Sequence, residues 1–295
     1  MSSLVNSIQV TTHQISSFLR DGALKISQLL TSEAISKISE LVAEKNDVKG
    51  HPGFQKATRD MGPEDKILND LCSSSNLKNL LSQITGKKLI FSQALGNQLS
   101  PNEKGTHWHY GLQSFSYIDV RNFGCTVWVP LVDTIKEGQK GSLCWISEEI
   151  MSARERVKLI DFAFKNNISG SELAEKAKEL NLPLSLLNKI ELDLFQKNRV
   201  EDDFHRGDVL LFNRWVFHRT SPFQEGPISN RPALILRFID QDSIYRPKFF
   251  EFLKDYYRST WPAGYNISEN IGYRYKDISD GDKIIHSKHP HFLMS

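Results

Sequence analysis

Two histidine-bearing segments of the chain combine metal-binding residue types with strand-like surroundings. The first is KGTHWHYGLQSF, residues 104–115, which carries His107 and His109. The second is GDVLLFNRWVFHRTSP, residues 207–222, in which two apolar runs precede His218. Imidazole suits Fe(II), and two histidines with open coordination positions form a ligand set for oxygen activation. We therefore interpret His109 and His218 as candidate iron ligands, provided that the fold places them side by side.

The elements that must position these histidines are predicted to be short strands. From Leu89 onward, apolar or alternating runs are separated by Gly, Pro, Asn and Asp, a pattern typical of an all-β sandwich or barrel. The runs are LIFSQALGNQL, FSYIDV, CTVWVPLV, SLCWI, DVLLF and ALILRFI.

Helical spacing precedes and interrupts this predicted β core. HQISSFLRDG and LTSEAISKISELVAE, near the start of the chain, place apolar residues on one face and are predicted to pack outside a sheet. Between about residues 148 and 203, helical spacing recurs in RERVKLIDFAF and SELAEKAKEL. We interpret this stretch as a helical insertion between core strands, so that residues 1–295 form a single domain.

The composition argues against several functional classes. The chain is 39% hydrophobic and 24% charged, with a formal net charge of +2 and no concentrated basic block, so we expect no nucleic-acid partner. No apolar run approaches the roughly 18 residues that a membrane span needs, and the first residues lack a signal-peptide layout. We expect a cytoplasmic protein with no membrane partner. Cys72, Cys125 and Cys144 form no CxxC pair and are expected to be reduced core thiols.

The chain resembles the phytanoyl-CoA dioxygenase superfamily of Fe(II)/2-oxoglutarate-dependent enzymes from FLRDGALKI to RPALILRF. In that family Trp-His-x-Asp supplies the first histidine and a carboxylate ligand, and Gly-Asp-x-x-x-Phe leads to the second histidine. Trp108-His109 matches the first pair, and Gly207-Asp208 with Phe212 matches the segment before His218. The resemblance implies a mainly β protein with a double-stranded β-helix (jelly-roll, cupin-like) core, flanked by N-terminal helices and carrying the helical insertion.

The same resemblance assigns residues to 2-oxoglutarate. Arg231, thirteen positions after His218, falls where the family places the arginine that binds the distal carboxylate. A guanidinium suits this role because it can donate two parallel hydrogen bonds to a carboxylate. Thr126 and Trp128 in CTVWVPL, and Asn97 at the end of an earlier strand, are further candidates for contact with 2-oxoglutarate.

Position 111 departs from the family pattern. Where the family has the metal-binding aspartate, this chain has Gly111, which offers no side chain to a metal. The replacement is typical of the halogenase branch, in which a halide takes the place of the carboxylate. The segment Gly105–Gly111 and the spacing from His218 to Arg231 are similar to that branch. The resemblance implies a halide vacancy at Gly111 and a catalytic role for Arg237 near the halide or its water.

Gly111 is also compatible with two different kinds of site. Residues 107, 109 and 111 alternate onto one face of an extended strand, so His107, or a water, could complete the iron site of an oxygenase that hydroxylates or otherwise oxidises its substrate. Trp108 and Phe115 fit the family pattern only if His109 is the first ligand, which argues against His107. Alternatively, loss of the carboxylate leaves an inactive jelly-roll binding protein.

The resemblance thus implies an oxidoreductase that replaces an unactivated C–H bond of a natural-product precursor by C–Cl or C–Br, through hydrogen abstraction at iron. The implied cofactors are Fe(II), 2-oxoglutarate, O2 and chloride or bromide. The implied partner is a small-molecule substrate, either free or tethered to a carrier protein. We expect specificity to reside in the helical insertion and after residue 240, because loops on a rigid scaffold carry such variation.

Overall fold

Two antiparallel sheets form the centre of the protein. The structure is a computed structural model that describes residues 3–45, 56–179, 187–260, 275–288 and 293–294. Within these ranges the strands are β1 (Ala23–Ile26), β2 (Lys56–Met61), β3 (Leu89–Leu99), β4 (Gly124–Pro130), β5 (Leu143–Trp145), β6 (Val200–Glu201), β7 (Val209–Asn213), β8 (His218–Thr220), β9 (Arg231–Asp240) and β10 (Leu293–Met294). The larger sheet has the order β1, β7, β4, β9, β3, β10, with β2 also paired to β3, and the smaller sheet has the order β6, β5, β8.

Helices cover the larger sheet and separate β5 from β6. They are α1 (Thr12–Asp21), α2 (Ser32–Lys45), α3 (Lys66–Cys72), α4 (Ser75–Thr85), α5 (Arg154–Lys165), α6 (Gly170–Glu179), α7 (Lys189–Asn198) and α8 (Pro247–Thr260). In the described ranges helices span more residues than strands, so the prediction of a mainly β protein is not supported. The physical reason is that several strands have only two to five residues, whereas each helix that packs beside them is longer.

The first helices form as their sequences predict. Thr11 and Gln14 make a capping box at the start of α1, and Gly22 ends this helix with a left-handed φ of 75°. In α2 four residues of the predicted apolar face are buried, Ala34, Ile35, Ile38 and Val42, and the fifth, Leu41, is partly buried. No helix in the described part of the chain is both long enough and apolar enough to cross a membrane.

Strand β4 shows why the larger sheet has two different faces. Successive side chains of a strand point to opposite sides. Cys125 and Val127 pack in a hydrophobic cluster with residues of α2, α3 and α4. Thr126 and Trp128 point the other way, and Trp128 shares a second cluster with Trp145 of β5 in the smaller sheet. We call the side of the larger sheet that carries Thr126 and Trp128 the inner face.

The helical spacing between residues 148 and 203 corresponds to α5, α6 and α7, with residues 180–186 lying outside the described residues. Phe195 of α7 is fully buried. Its ring centroid lies 5.0 Å from that of Trp108 and 5.0 Å from that of Phe217, the residues that directly precede His109 and His218. The inserted helices therefore pack directly on both histidine segments.

Candidate metal centre

The backbone places the two candidate ligands side by side. His109 and His218 form an antiparallel bridge in which the N–H of each residue donates to the carbonyl oxygen of the other at 2.9 Å. Side chains at directly paired positions project to the same side of the two backbones. The two imidazole centroids lie 4.2 Å apart, and the ring planes are inclined by 53°. Residues 109 positions apart in sequence thus form one compact pair of imidazoles.

Each imidazole is oriented by a backbone carbonyl. The Nδ1 atom of His109 lies 2.7 Å from the carbonyl oxygen of His107, and the Nδ1 atom of His218 lies 2.9 Å from that of Val216. A carbonyl oxygen can only accept, so Nδ1 carries the proton and donates in both rings. In the neutral form of either ring, Nε2 then keeps its lone pair, which is the arrangement found in metal-ligating histidines.

Burial keeps His218 neutral. The side chain is almost fully buried, and burial together with the neighbouring His109 holds the pKa of His218 well below its ordinary value. Burial has this effect because it disfavours the charged imidazolium. A neutral imidazole is the form that binds a metal, so no proton competes with the metal at neutral pH.

His109 and His218 stand as a pair among the described residues. Among the described residues, no third His, Cys, Asp or Glu forms a group with His109 and His218 that could hold a metal ion. The side chain of His107 is exposed, and this residue contributes its backbone carbonyl to the orientation of His109. The arrangement is therefore a two-imidazole centre.

Gly111 lies where its backbone passes close to the backbone of Arg214. Its N–H donates to the carbonyl oxygen of Arg214 at 2.8 Å. A Cβ atom at this position would lie 2.9 Å from that oxygen and 3.0 Å from both the Arg214 Cα and the Phe115 Cδ2. These separations are shorter than a Cβ tolerates, and two of the three atoms belong to backbone. Close packing therefore explains why residue 111 is a glycine. The sequence motif did not reveal this steric constraint.

Arg214 fixes the segment that follows Gly111. Its guanidinium is buried and donates to the carbonyl oxygens of Phe115, Asp119 and Asn122 at 3.1 to 3.2 Å. Burial lowers the pKa of Arg214 to about 10, so the group stays charged at neutral pH. The sequence motifs assign Arg214 no role, although an arginine inside the apolar run LLFNRWVF is a signal of a paired, buried charge.

Asp119 connects the same segment to the start of α8. Its carboxylate accepts hydrogen bonds from the Arg121 Nε at 2.8 Å and the Arg246 Nη1 at 2.9 Å. Burial alone would raise the pKa of Asp119, but the hydrogen bonds from Arg121 and the charges of both arginines outweigh it and lower the pKa to about 2. The ionised form of Asp119 is therefore strongly favoured in the folded protein.

Arg231 is a fully buried cation that lacks an anionic partner among the described residues. Its side chain is 0% exposed, its Nη1 donates to the Asn97 Oδ1 at 3.2 Å, and its Nε has no hydrogen-bond partner. The guanidinium carbon lies 5.8 Å from the ring centroid of Trp128. Burial lowers the pKa of Arg231 to about 9. A buried, incompletely paired guanidinium is costly, and the unused donor of Arg231 could bind an anion.

Thr126 and Arg237 connect the inner face to the imidazole pair. Strands β4 and β9 pair Thr126 directly with Arg237, and β4 and β7 pair Thr126 with Phe212. The ring centroid of Phe212 lies 4.4 Å from that of His218. The predicted residues therefore form two groups on the inner face: Thr126 and Arg237 in a row that ends at His218, and Asn97, Trp128 and Arg231 together.

At the level of sequence, no protein-family profile and no curated protein matches the chain. Solved structures share its fold. SnoK, a non-heme alpha ketoglutarate dependent carbocyclase from nogalamycin biosynthesis, has a TM-score of 0.61 at 15% identity, covering 93% of each chain. The epimerase SnoN in complex with Fe3+, alpha ketoglutarate and nogalamycin RO gives 0.60 at 14% identity, covering 92% of this chain and 94% of SnoN. EctD from S. alaskensis with bound Fe has a TM-score of 0.56 at 12% sequence identity, covering 83% of this chain and 84% of EctD. The chain therefore has the fold of these iron-binding enzymes.

The close approach at Gly111 predicts that Gly111→Ala lowers the free energy of unfolding by about 1–3 kcal/mol, because the added methyl group overpacks against backbone atoms. Gly138→Ala is the matched control, since the nearest atom to its Cβ would be 3.4 Å away, an ordinary contact. Urea unfolding of both variants measures the difference. Equal stability of the two variants would contradict the close approach.

The pKa of Asp119 predicts a stability change in acid. Because the folded-state pKa lies near 2 and the usual value is 3.8, this carboxylate stabilises the fold above about pH 4, and the contribution is lost as pH falls toward 2. Asp119→Asn should cost about 2 kcal/mol at neutral pH, and this difference from the unmodified protein should shrink between about pH 4 and 2. Asp70→Asn, at an exposed pair with Lys66, is the control. A pH-independent difference for Asp119→Asn would contradict the prediction.

Proposed function

We propose that this chain is an Fe(II)/2-oxoglutarate-dependent halogenase that replaces an unactivated C–H bond of a small-molecule natural-product precursor by C–Cl or C–Br. The proposal treats residues 1–295 as one jelly-roll domain whose two antiparallel sheets form a double-stranded β-helix. The observation that carries it is the pair of imidazoles, His109 and His218, with no third metal-ligating side chain grouped with them in the described residues.

The two imidazoles fit a ferrous ion. Both Nδ1 atoms are engaged by backbone carbonyls, so His109 and His218 would each offer Nε2 to the metal. The centroid separation of 4.2 Å allows both rings to serve one ion. When bound with 2-oxoglutarate and O2, iron supplies the hydrogen abstraction, and the chain supplies placement and electrostatics.

Arg231 fits the distal carboxylate of 2-oxoglutarate. Its guanidinium is buried, charged and incompletely hydrogen-bonded, and the Asn97 amide oxygen holds one end of it. A carboxylate would accept the parallel hydrogen bonds that a guanidinium donates. Trp128 forms the wall beside Arg231, and Thr126 offers a hydroxyl on the same face. These residues would bind and orient the dicarboxylate.

The charge balance at the imidazole pair supports a halide. An iron site with two neutral imidazoles lacks the anion that a carboxylate ligand would add, and an exogenous chloride or bromide supplies it. Arg237 is the cation in the row that ends at His218, and its charge contributes to the lowered pKa of that histidine. A cation in this position would favour an anion near the metal.

A second candidate function follows from the packing of Gly111. Because a Cβ at this position would collide with the backbone of Arg214, the glycine is accounted for without a halide. Water would then complete the iron site of an oxygenase. The carbocyclase SnoK and the epimerase SnoN show that this fold carries other reactions of alpha ketoglutarate dependent enzymes. Chloride dependence separates the two functions.

The halogenase function predicts that chloride strengthens 2-oxoglutarate binding to the anaerobic Fe(II) protein and that halogenated products form after oxygen is admitted. Visible absorption of the Fe(II)–2-oxoglutarate protein, titrated with chloride, measures the first effect, and mass spectrometry of reactions with a panel of small-molecule precursors measures the second. We expect Gly111→Asp to lose at least about tenfold in halogenation beyond any loss in Gly111→Ala, because only the aspartate can compete with the halide.

The matched alanine variant separates the carboxylate from the steric effect. Hydroxylated product alone at saturating chloride would favour the oxygenase. Absence of Fe(II)-dependent succinate formation from 2-oxoglutarate would leave only the catalytically inactive binding protein.

The assignment of Arg231 predicts that Arg231→Met weakens 2-oxoglutarate binding at least about a hundredfold, since a buried charge-assisted pair contributes several kcal/mol. The unliganded variant should be no less stable than the unmodified protein, because it loses an incompletely paired buried charge. Thermal shift with added 2-oxoglutarate and Fe(II) checks both effects. Arg206→Met, at an exposed position, is the control. A 2-oxoglutarate shift that survives in Arg231→Met would exclude this residue as the carboxylate partner.

A further inference from the structure

Gln93 on β3 is a buried amide whose hydrogen-bonding groups are unused. The side chain is 1% exposed, and neither its Oε1 nor its Nε2 has a hydrogen-bond partner. In folded proteins the great majority of buried polar atoms are paired, and a group with both ends unpaired needs a specific physical reason. No residue in the part of the chain that the structure describes satisfies this carboxamide.

A β-bulge aims Gln93 at the inner face. The pairing of β3 with β9 shifts register between Phe91 and Gln93, so Ser92 is the extra residue. Phe91 and Ala94 both pack in the cluster on the helix side of the sheet. Gln93 points to the opposite side, which it shares with Arg237, its direct partner on β9. Bulges of this kind are common beside active sites, where they redirect a side chain.

Cross-strand pairing connects Gln93 to the metal centre. Gln93 pairs with Arg237, Arg237 pairs with Thr126, and Thr126 pairs with Phe212. Paired side chains on one face lie close enough to touch. The row ends where the Phe212 ring meets the His218 ring at 4.4 Å. Gln93 therefore belongs to the same row of inner-face side chains as the residues assigned above, at the end opposite His218.

The chemistry of the amide restricts what can bind it. Oε1 needs a donor, and Nε2 needs an acceptor. Ionised 2-oxoglutarate and halide offer acceptors only, so neither can satisfy Oε1. A single group that pairs with both ends at once presents a donor and an acceptor, and a primary amide, a lactam or an imide holds the two side by side at the spacing of Oε1 and Nε2.

We propose that Gln93 is a substrate-binding residue and that the substrate carries an amide, lactam or imide group that pairs with both ends of its carboxamide. This assignment rests on the proposed function in one respect, that the reaction takes place at the imidazole pair in the same row. Both amide atoms are buried, so the substrate group reaches them only when the side chains that cover Gln93 move. The enclosure makes the contact selective, because a desolvated amide discriminates against groups that leave it unpaired.

Gln93→Met tests the assignment, because methionine has a similar shape and removes both hydrogen-bonding ends. An amide that has no partner in the protein contributes nothing to stability, so we expect the melting temperature of Gln93→Met to equal or exceed that of the unmodified protein. Gln139→Met is the matched control. The Gln139 side chain donates to the carbonyl oxygens of Gln224 and Ile228 and accepts from the Ile228 N–H, so the same substitution there should lower the melting temperature.

Ligand binding is tested with δ-valerolactam, which has an N–H donor beside its carbonyl, and δ-valerolactone, which lacks the donor. Ligand-observed NMR on the full chain with Fe(II) and 2-oxoglutarate, without oxygen, gives both affinities. We expect the lactam to bind the unmodified protein about tenfold or more tightly than the lactone, and Gln93→Met to abolish the preference. Gln139→Met should keep it.

Three results would overturn the assignment: equal binding of lactam and lactone to the unmodified protein, a melting temperature of Gln93→Met that falls as far as that of Gln139→Met, or a loss of 2-oxoglutarate affinity in Gln93→Met. None of these measurements requires turnover. A protein that prefers the lactam but forms no succinate from 2-oxoglutarate would therefore refute the proposed function and leave the role of Gln93 in place.

Discussion

The imidazole pair depends on one close contact between two backbone segments. The reciprocal hydrogen bonds between residues 109 and 218, and the bond from Gly111 to the carbonyl of Arg214, align a loop with the start of β8. Once these bonds form, the imidazoles must face the same way, and local carbonyls select the tautomer that exposes Nε2. The glycine belongs to this contact first, because an added Cβ would crowd the backbone of Arg214.

Two buried arginines differ in how many hydrogen-bond acceptors surround their guanidinium groups. Arg214 and Arg231 are both almost completely enclosed. Three backbone carbonyls satisfy Arg214, which holds the loop after Gly111 in place. Arg231 has one amide oxygen as a partner, and its Nε has none among the described residues, which is why we propose it as the carboxylate-binding residue. The neutral carboxamide of Gln93 is likewise buried without a hydrogen-bond partner among the described residues. Gln93 lies at the end of the inner-face row opposite His218.

Strand pairing gives the inner face its order. The register of β3, β9, β4 and β7 places Gln93, Arg237, Thr126 and Phe212 in one row, while Arg231 and Asn97 lie together elsewhere on the same face. The inserted helices approach from another direction and pack Phe195 against the aromatic residues that precede each histidine. A substrate bound at the imidazoles would therefore contact side chains of the inner face on one side and aromatic side chains packed by the inserted helices on another. Changes in such surroundings allow one scaffold to support several reactions.

The sequence alone determined the local elements and the candidate residue types. Helical periodicity predicted α1, α2 and α5, strand-like runs predicted most of the sheet strands, and the family resemblance selected His109, His218 and Arg231 as candidate site residues. These features depend on near neighbours in the chain. The tertiary structure decided the balance of helix and strand and the exposed position of His107. It also decided the crowding that a Cβ at position 111 would meet, and the pairing of Gln93 with Arg237, 144 positions away. Such contacts depend on long-range register, which no local pattern encodes, since shifting a strand by one residue would turn every side chain to the other face.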